Sequence, residues 1–213
     1  MDLRDPVGIQ ILLQGFGETT EREEVASRLK AGAVSLDIGG NCGVWARWLA
    51  AICGGTVYSF EPSAKTFELL RMNTQELSSI EAVNMCCGSF TGDCYLSTEI
   101  ASGLRHISAA GESVKVIRVD DFCASRGVLT VDFMKIDVEG SELDVLRGSV
   151  NTIQTKRPLI LFEYAPGTTH RFGYVLNDVT DFLDKWGYTT TRIPGSNNYL
   201  ACPEDGLKSR MVA

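Results

Sequence analysis

The 213-residue sequence lacks the markers of several functional classes. It holds no C-x-x-C pair and no H-E-x-x-H helix, so neither a structural zinc site nor a zinc-protease site is indicated. The Gly-Lys-Ser/Thr of a phosphate-gripping loop and the G-x-S-x-G elbow of a hydrolase are both missing. Histidine is scarce, with only His106 and His170. No apolar run reaches membrane-spanning length. The start, Met1-Asp2-Leu3-Arg4-Asp5, lacks the basic-then-apolar order of a secretory signal. Basic excess is lacking too: the formal net charge is −7. Such a surface repels phosphate backbones and disfavours a nucleic-acid substrate. Seven cysteines, an odd number, read as free thiols in a reducing, cytoplasmic setting.

What is present is an alternation of strand and helix. Thr20 and Glu23 form a capping-box pattern ahead of Val25 and Leu29. Ala33 to Asp37 reads as a buried strand, Val44 to Ala50 opens a helix, and Thr56 to Glu61 is a second strand. Ser63 caps a helix running to about Leu77, and Ile80 to Cys87 is a third strand. Residues 91–119 break the rhythm as a β-rich insertion with a loop near Ser102-Gly103. A short helix (Asp120 to Arg126), a strand (Val131 to Asp137) and a helix (Ser141 to Arg147, stopped by Gly148) follow. Leu159 to Glu163 is a further strand and Val175 to Trp186 a helix. Tyr188 to Ile193 and Asn197 to Cys202 form a closing hairpin. With no repeat and no linker, residues 1–213 read as one α/β domain. Its sheet is doubly wound and mostly parallel, with residues 1–32 as an N-terminal helical segment.

Ligands bind such sheets beyond the carboxyl ends of the strands. That singles out Asp37, Glu61, Cys87, Asp137 and Glu163. The first strand runs into Asp37-Ile38-Gly39-Gly40-Asn41-Cys42-Gly43, where glycines permit a sharp turn and close backbone approach. A dinucleotide fingerprint needs glycine at position 38, which is isoleucine, so a nicotinamide oxidoreductase is disfavoured. The remaining acid-x-Gly-x-x-x-Gly resembles the first motif of S-adenosylmethionine (SAM)-dependent methyltransferases. Glu61, about 20 residues downstream at a strand tip and followed by Pro62 and Ser63, is placed to accept hydrogen bonds from ribose hydroxyls. Capping of the turn by Asp37 and of the next helix by Glu61 is the structural alternative.

The most specific stretch is Phe133-Met134-Lys135-Ile136-Asp137-Val138-Glu139-Gly140-Ser141-Glu142-Leu143-Asp144-Val145-Leu146-Arg147-Gly148. It resembles the hallmark segment of the FkbM family of SAM-dependent methyltransferases. Val119-Asp120-Asp121-Phe122, Arg157-Pro158-Leu159-Ile160-Leu161-Phe162-Glu163 and the glycine turn resemble that family as well. The likeness spans residues 33 to 165. It implies a class I methyltransferase fold, SAM as methyl donor, and hydroxyls of sugars, glycolipids or polyketide-type products as acceptors. By position, Gly39, Asn41 and Gly43 would hold the methionine part of SAM, Glu61 the ribose, and Asp137 would sit near the reacting centre. Gly40 and Cys42 depart from the family's usual residues there. The candidate cofactor contacts are therefore Asp37, Gly39, Gly40, Asn41, Gly43, Glu61, Pro62, Ser63, Cys87 and Asp137.

Methyl transfer to oxygen needs alignment above all, contributing roughly 7–11 kcal/mol, and a base that adds about 10²–10⁴-fold. Asp137 or Glu139 is the expected base. Each has a structural alternative, Asp137 as a turn cap or partner of Lys135 and Glu139 as first-turn support for the following helix. Glu163 would orient substrate, and His106 or His170 could serve as base instead. No metal ligand set is expected. A SAM-binding protein without turnover and a protein or nucleic-acid methyltransferase are the competing readings.

Overall fold

A computed structural model of the chain describes residues 17–97 and 106–204. Residues 1–16 and the Ser102-Gly103 loop lie outside the described residues. The element order is α1 (Thr19–Ala26), β1 (Ser35–Ile38), α2 (Val44–Cys53), β2 (Val57–Phe60), α3 (Ala64–Thr74), β3 (Ile80–Val83) and β4 (Cys86–Cys87). Then come β5 (Gly92–Leu96), β6 (Ile107–Ser108), β7 (Glu112–Ile117), α4 (Val119–Arg126), β8 (Phe133–Ile136), α5 (Glu142–Arg147) and α6 (Val150–Lys156). β9 (Leu159–Glu163), α7 (Pro166–Thr169), a 3-10 turn (His170–Phe172), α8 (Leu176–Asp184), β10 (Tyr188–Arg192) and β11 (Asn198–Pro203) complete it.

A seven-stranded sheet runs in the order β10-β11-β9-β8-β1-β2-β3. β11 lies antiparallel between β9 and β10, and the pairs from β9 to β3 are parallel. The strand order reverses at β1 and β8, the switch point where such sheets bind ligands. Both faces are covered, so every residue of β1 and β8 is buried, the polar Ser35, Asp37 and Lys135 among them. One face packs Trp45 of α2 on Phe133, with ring centroids 6.3 Å apart, beside Leu161 and Leu200. The other packs Leu36, Ile38, Phe60 and Ile136 against Phe122, Leu146 and Leu183.

Four features depart from the sequence reading. The third strand is two strands. Asn84 Nδ2 donates to the carbonyls of Glu61 and Pro62, turning the chain so that β4 leaves the main sheet. β4 joins β7, β5 and β6 in a second, four-stranded sheet built from the insertion. The expected capping box at Thr20 is absent: the N-cap is Glu18, in left-handed conformation at φ 49°, and its Oε2 accepts from Trp45 Nε1 at 2.6 Å. The unexpected α6 has no cap of its own; Asp120 accepts from the backbone of Asn151 (3.0 Å) and Thr152 (2.8 Å), a partner 31 residues away. Finally, α7 and the 3-10 turn occupy the stretch between Glu163 and Val175, to which the sequence assigns no element.

Candidate active site

Register places the site residues in rows. Asp37 pairs across to Ser59 and Lys135, and Lys135 to Leu161. Side chains alternate faces with period two. One step past the paired ends, Glu61, Gly39, Asp137 and Glu163 therefore form a second row on that face, ending at Asn198, which pairs with Glu163. Four residues expected at strand ends thus fall on two successive rows of one face.

The β1 turn is dictated by packing. Gly39 has φ 89°, and a Cβ there would stand 1.8 Å from the Asp137 carbonyl oxygen. A Cβ on Gly40 would meet Ser59 Oγ at 2.0 Å. The sequence reading gave these glycines both a sharp turn and ligand approach; the tight turn is present, and the protein's own atoms already require glycine there. Asn41 takes a left-handed φ of 46°, and its N–H donates to Glu61 Oε2 at 3.1 Å. Glu61 Oε1 accepts from Ser63 N at 2.9 Å. Glu61 thereby ties the turn to the start of α3, and Ser63 Oγ caps that helix at Thr66 N. The insertion closes over the same corner, where Glu112 Oε1 accepts from Ala64 N at 3.3 Å.

Asp37 is fully buried. Its Oδ2 accepts from Ser59 Oγ at 2.8 Å, while Oδ1 has no hydrogen-bond partner among the described residues. Burial raises its carboxyl above the usual range, against the pull of Lys135. Lys135 is 3% exposed and its Nζ lies 2.7 Å from Asp137 Oδ2. Burial would lower this lysine, but the carboxylates of Asp137, Glu18 and Asp37 outweigh it and hold the ammonium above the ordinary value.

Asp137, Glu139 and Glu163 bring carboxylate oxygens within 4.8 Å of one another. Burial, then the neighbouring charges of Asp137 and Glu163, push Glu139 up to about 8. Burial, then Asp137, push Glu163 up to about 7. Three clustered carboxylates have the spacing to hold a divalent cation, but Asp137 already faces the Lys135 ammonium, and we assign no metal.

The turn bearing Glu139 is held from behind. Glu139 sits at φ 56° and Gly140 at φ 113°. Glu142, pushed up to about 7 chiefly by burial, accepts from Gly140 N (3.0 Å) and Val138 N (3.3 Å). The Tyr174 hydroxyl donates to the Gly140 carbonyl and accepts from Leu143 N at 3.2 Å. α7 also abuts the turn: a Cβ on Gly140 would meet the Thr168 carbonyl oxygen at 2.7 Å. Glu142 and Tyr174 escaped the sequence reading. Their only trace was an acid and an aromatic flanking a glycine turn, a pattern too common to single out.

The other expected residues are dispersed. Cys87 is 1% exposed and packs within the core. His106, on the insertion, lies with Nδ1 3.1 Å from Arg171 Nη1 and is not among the clustered carboxylates. All seven cysteines are free thiols, with Cys86 and Cys94 sulfurs 3.4 Å apart. Among the described residues, no helix is long and apolar enough to cross a membrane.

The donor set suits an adenosyl sulfonium. Carboxylates line the sheet end, one of them at the tip of β2 beside the turn, and among the described residues a buried Asp37 oxygen has no donor.

Comparison with known proteins identifies the family. The family described as Methyltransferase FkbM domain matches residues 37–190. The chain is 30% identical over 189 residues to the hexuronic acid methyltransferase AglP of Haloferax volcanii, covering 86% of this chain and 71% of that protein. It is 27% identical over 184 residues to the 2-O-methyltransferase NoeI of Sinorhizobium fredii, covering 76% and 75%. The solved methyltransferase FkbM of Methylobacillus flagellatus superposes with a TM-score of 0.58 at 16% identity, over 82% of this chain and 44% of that one. A putative rRNA methylase of Clostridium thermocellum gives 0.53 at 10% identity, over 95% and 96%. The last two likenesses concern the fold.

Proposed function

The chain belongs to the FkbM methyltransferase family, and on that premise we propose that it methylates a hydroxyl of a saccharide or related natural product at the carboxyl end of β8 and β9. It is a SAM-dependent enzyme with the class I methyltransferase fold. When bound, SAM supplies a methyl group on a positively charged sulfur. Asp37, Gly39, Gly40, Asn41 and Gly43 shape the turn that receives the methionine part, and Glu61 with Pro62 and Ser63 receives the ribose. Glu139 and Glu163 take the proton of the acceptor hydroxyl, and Asp137 orients that hydroxyl.

One observation carries this reading: Asp137 and Glu139 after β8 and Glu163 at the end of β9 bring carboxylate oxygens within 4.8 Å of one another, beside the Gly39 turn that follows β1. A base is most effective when it titrates near the working pH, and Glu139 and Glu163 do so near 8 and 7. The acceptor class is supported by the relatives named for hexuronic acid and for 2-O-methylation. An rRNA methylase shares the fold, yet the net charge of −7 opposes a nucleic-acid acceptor. Seven free thiols support a cytoplasmic location. Contacts of Glu112 and of Thr91, whose Oγ1 donates to Asp121 at 2.5 Å, support reading the insertion as part of one domain.

The test is methyl-labelled SAM offered with hexuronic acids, neutral hexoses and macrolide polyols, read by mass spectrometry. Label on an acceptor oxygen with matching S-adenosylhomocysteine (SAH) is expected. Bound SAM with no transfer to any of them would overturn the proposal.

A further inference from the structure

Charge at the sheet end does not balance. Asp37, Asp137, Glu139 and Glu163 all feel one cation, Lys135, which is in contact with Asp137. Glu142 from α5 and Glu18 from the start of α1 add further negative charge. The rim carries Arg171 of the 3-10 turn, whose polar partner is His106 of the insertion. The sealed Asp37 Oδ1 has no hydrogen bond among the described residues. Among the described residues this arrangement lacks a second positive charge, and the methyl donor brings one.

That charge is lost during turnover. The acceptor oxygen bonds to the methyl carbon as the carbon–sulfur bond breaks. Both electrons of that bond leave with sulfur, which becomes neutral, and the hydroxyl proton must go elsewhere. We propose that the Glu139–Glu163 pair retains this proton in place of the lost charge, so that the SAH complex carries one more proton than the SAM complex. Lys135 acts as a positioning residue: by facing Asp137 it leaves the other two carboxylates to share the proton. The inference rests on the methyl-transfer reading above.

Glu139 and Glu163 bring carboxylate oxygens within 4.8 Å of each other and of Asp137, and burial with the charge of Asp137 already puts Glu139 near 8 and Glu163 near 7 without a ligand. A nearby cation favours the charged form of a carboxylate, and a neutral sulfur does not. SAM binding should therefore expel protons in this range and tighten as pH rises through it. SAH binding should not.

The test is isothermal titration of the full chain with SAM and with SAH, in buffers of different ionisation enthalpy, between pH 7 and 8 where these groups titrate. Proton uptake with SAH should exceed that with SAM by up to about one, and the Kd ratio SAM/SAH should fall by at most roughly tenfold per pH unit. Glu139→Gln and Glu163→Gln should each reduce the difference, and the double variant should leave only the ligands' own amine ionisation, which is common to all the proteins. An unchanged difference in the double variant would overturn the inference. Should that variant not fold, the wild-type ratio corrected for the ligands' amine titration decides, and a pH-independent ratio overturns it. Failure of both ligands to bind would instead overturn the methyltransferase reading.

Discussion

Lys135 Nζ stands 2.7 Å from Asp137 Oδ2 beneath the end of the sheet, the lysine itself 3% exposed. Removing one member of a buried ion pair leaves the other uncompensated, typically at about 3–5 kcal/mol. Asp137, the charge left behind, is 32% exposed and solvent screens it, so Lys135→Met should lower unfolding stability by less than that amount, measured by urea denaturation. The cost should exceed that of removing Arg71, whose ion pair with Glu68 is exposed.

Glu61 joins the glycine turn to α3 and faces the proposed ribose position. A charged hydrogen bond contributes roughly 1.5–3 kcal/mol, so Glu61→Gln should weaken SAM binding about 10–100-fold. Isothermal titration checks this; wild-type affinity would remove Glu61 from the cofactor site.

Glu139 titrates in the fold near 8, above an unfolded glutamate. The sign follows: its contribution to stability is full below the unfolded carboxyl's range and is lost as pH rises toward 8. Glu139→Gln cannot ionise, so the variant should melt higher than wild type, with a gap that widens from acid to alkaline pH. Turnover should fall alongside, the trade expected of a strained active-site group.

Gly39 and Gly127 both have positive φ, but only Gly39 is crowded: a Cβ on Gly127 meets nothing within 4 Å. Gly127→Ala should cost about 1 kcal/mol from backbone strain. Gly39→Ala adds a clash with the Asp137 carbonyl and should cost several times as much, seen in thermal melts.

Much of this was legible in the sequence, and the reasons differ by residue. β9 matched from Leu159 to Glu163 because a buried strand of a parallel sheet is a continuous apolar run ended by an acid. Glu61 was legible as the acid at the tip of β2, the next strand end after the glycine turn, to which the structure ties it through Asn41 N. The break between β3 and β4 was not, since Asn84 turns the chain by reaching back 23 residues to the Glu61 carbonyl. α6 was missed for the same kind of reason, its cap being Asp120. Gly148, read as a helix stop, is required where a Cβ would meet the Gly88 carbonyl oxygen at 2.0 Å. The partnership of Glu142 with Tyr174 depends on packing that no local pattern announces.

Cofactor and proton acceptor meet along the row Glu61, Gly39, Asp137 and Glu163, with Glu139 in the turn just beyond it. A crystal structure with SAH bound tests it most directly. The expected result has ribose hydroxyls donating to Glu61, and the sulfur facing Asp137, Glu139 and Glu163. Ribose density away from Glu61, or a sulfur turned away from those three carboxylates, would contradict it.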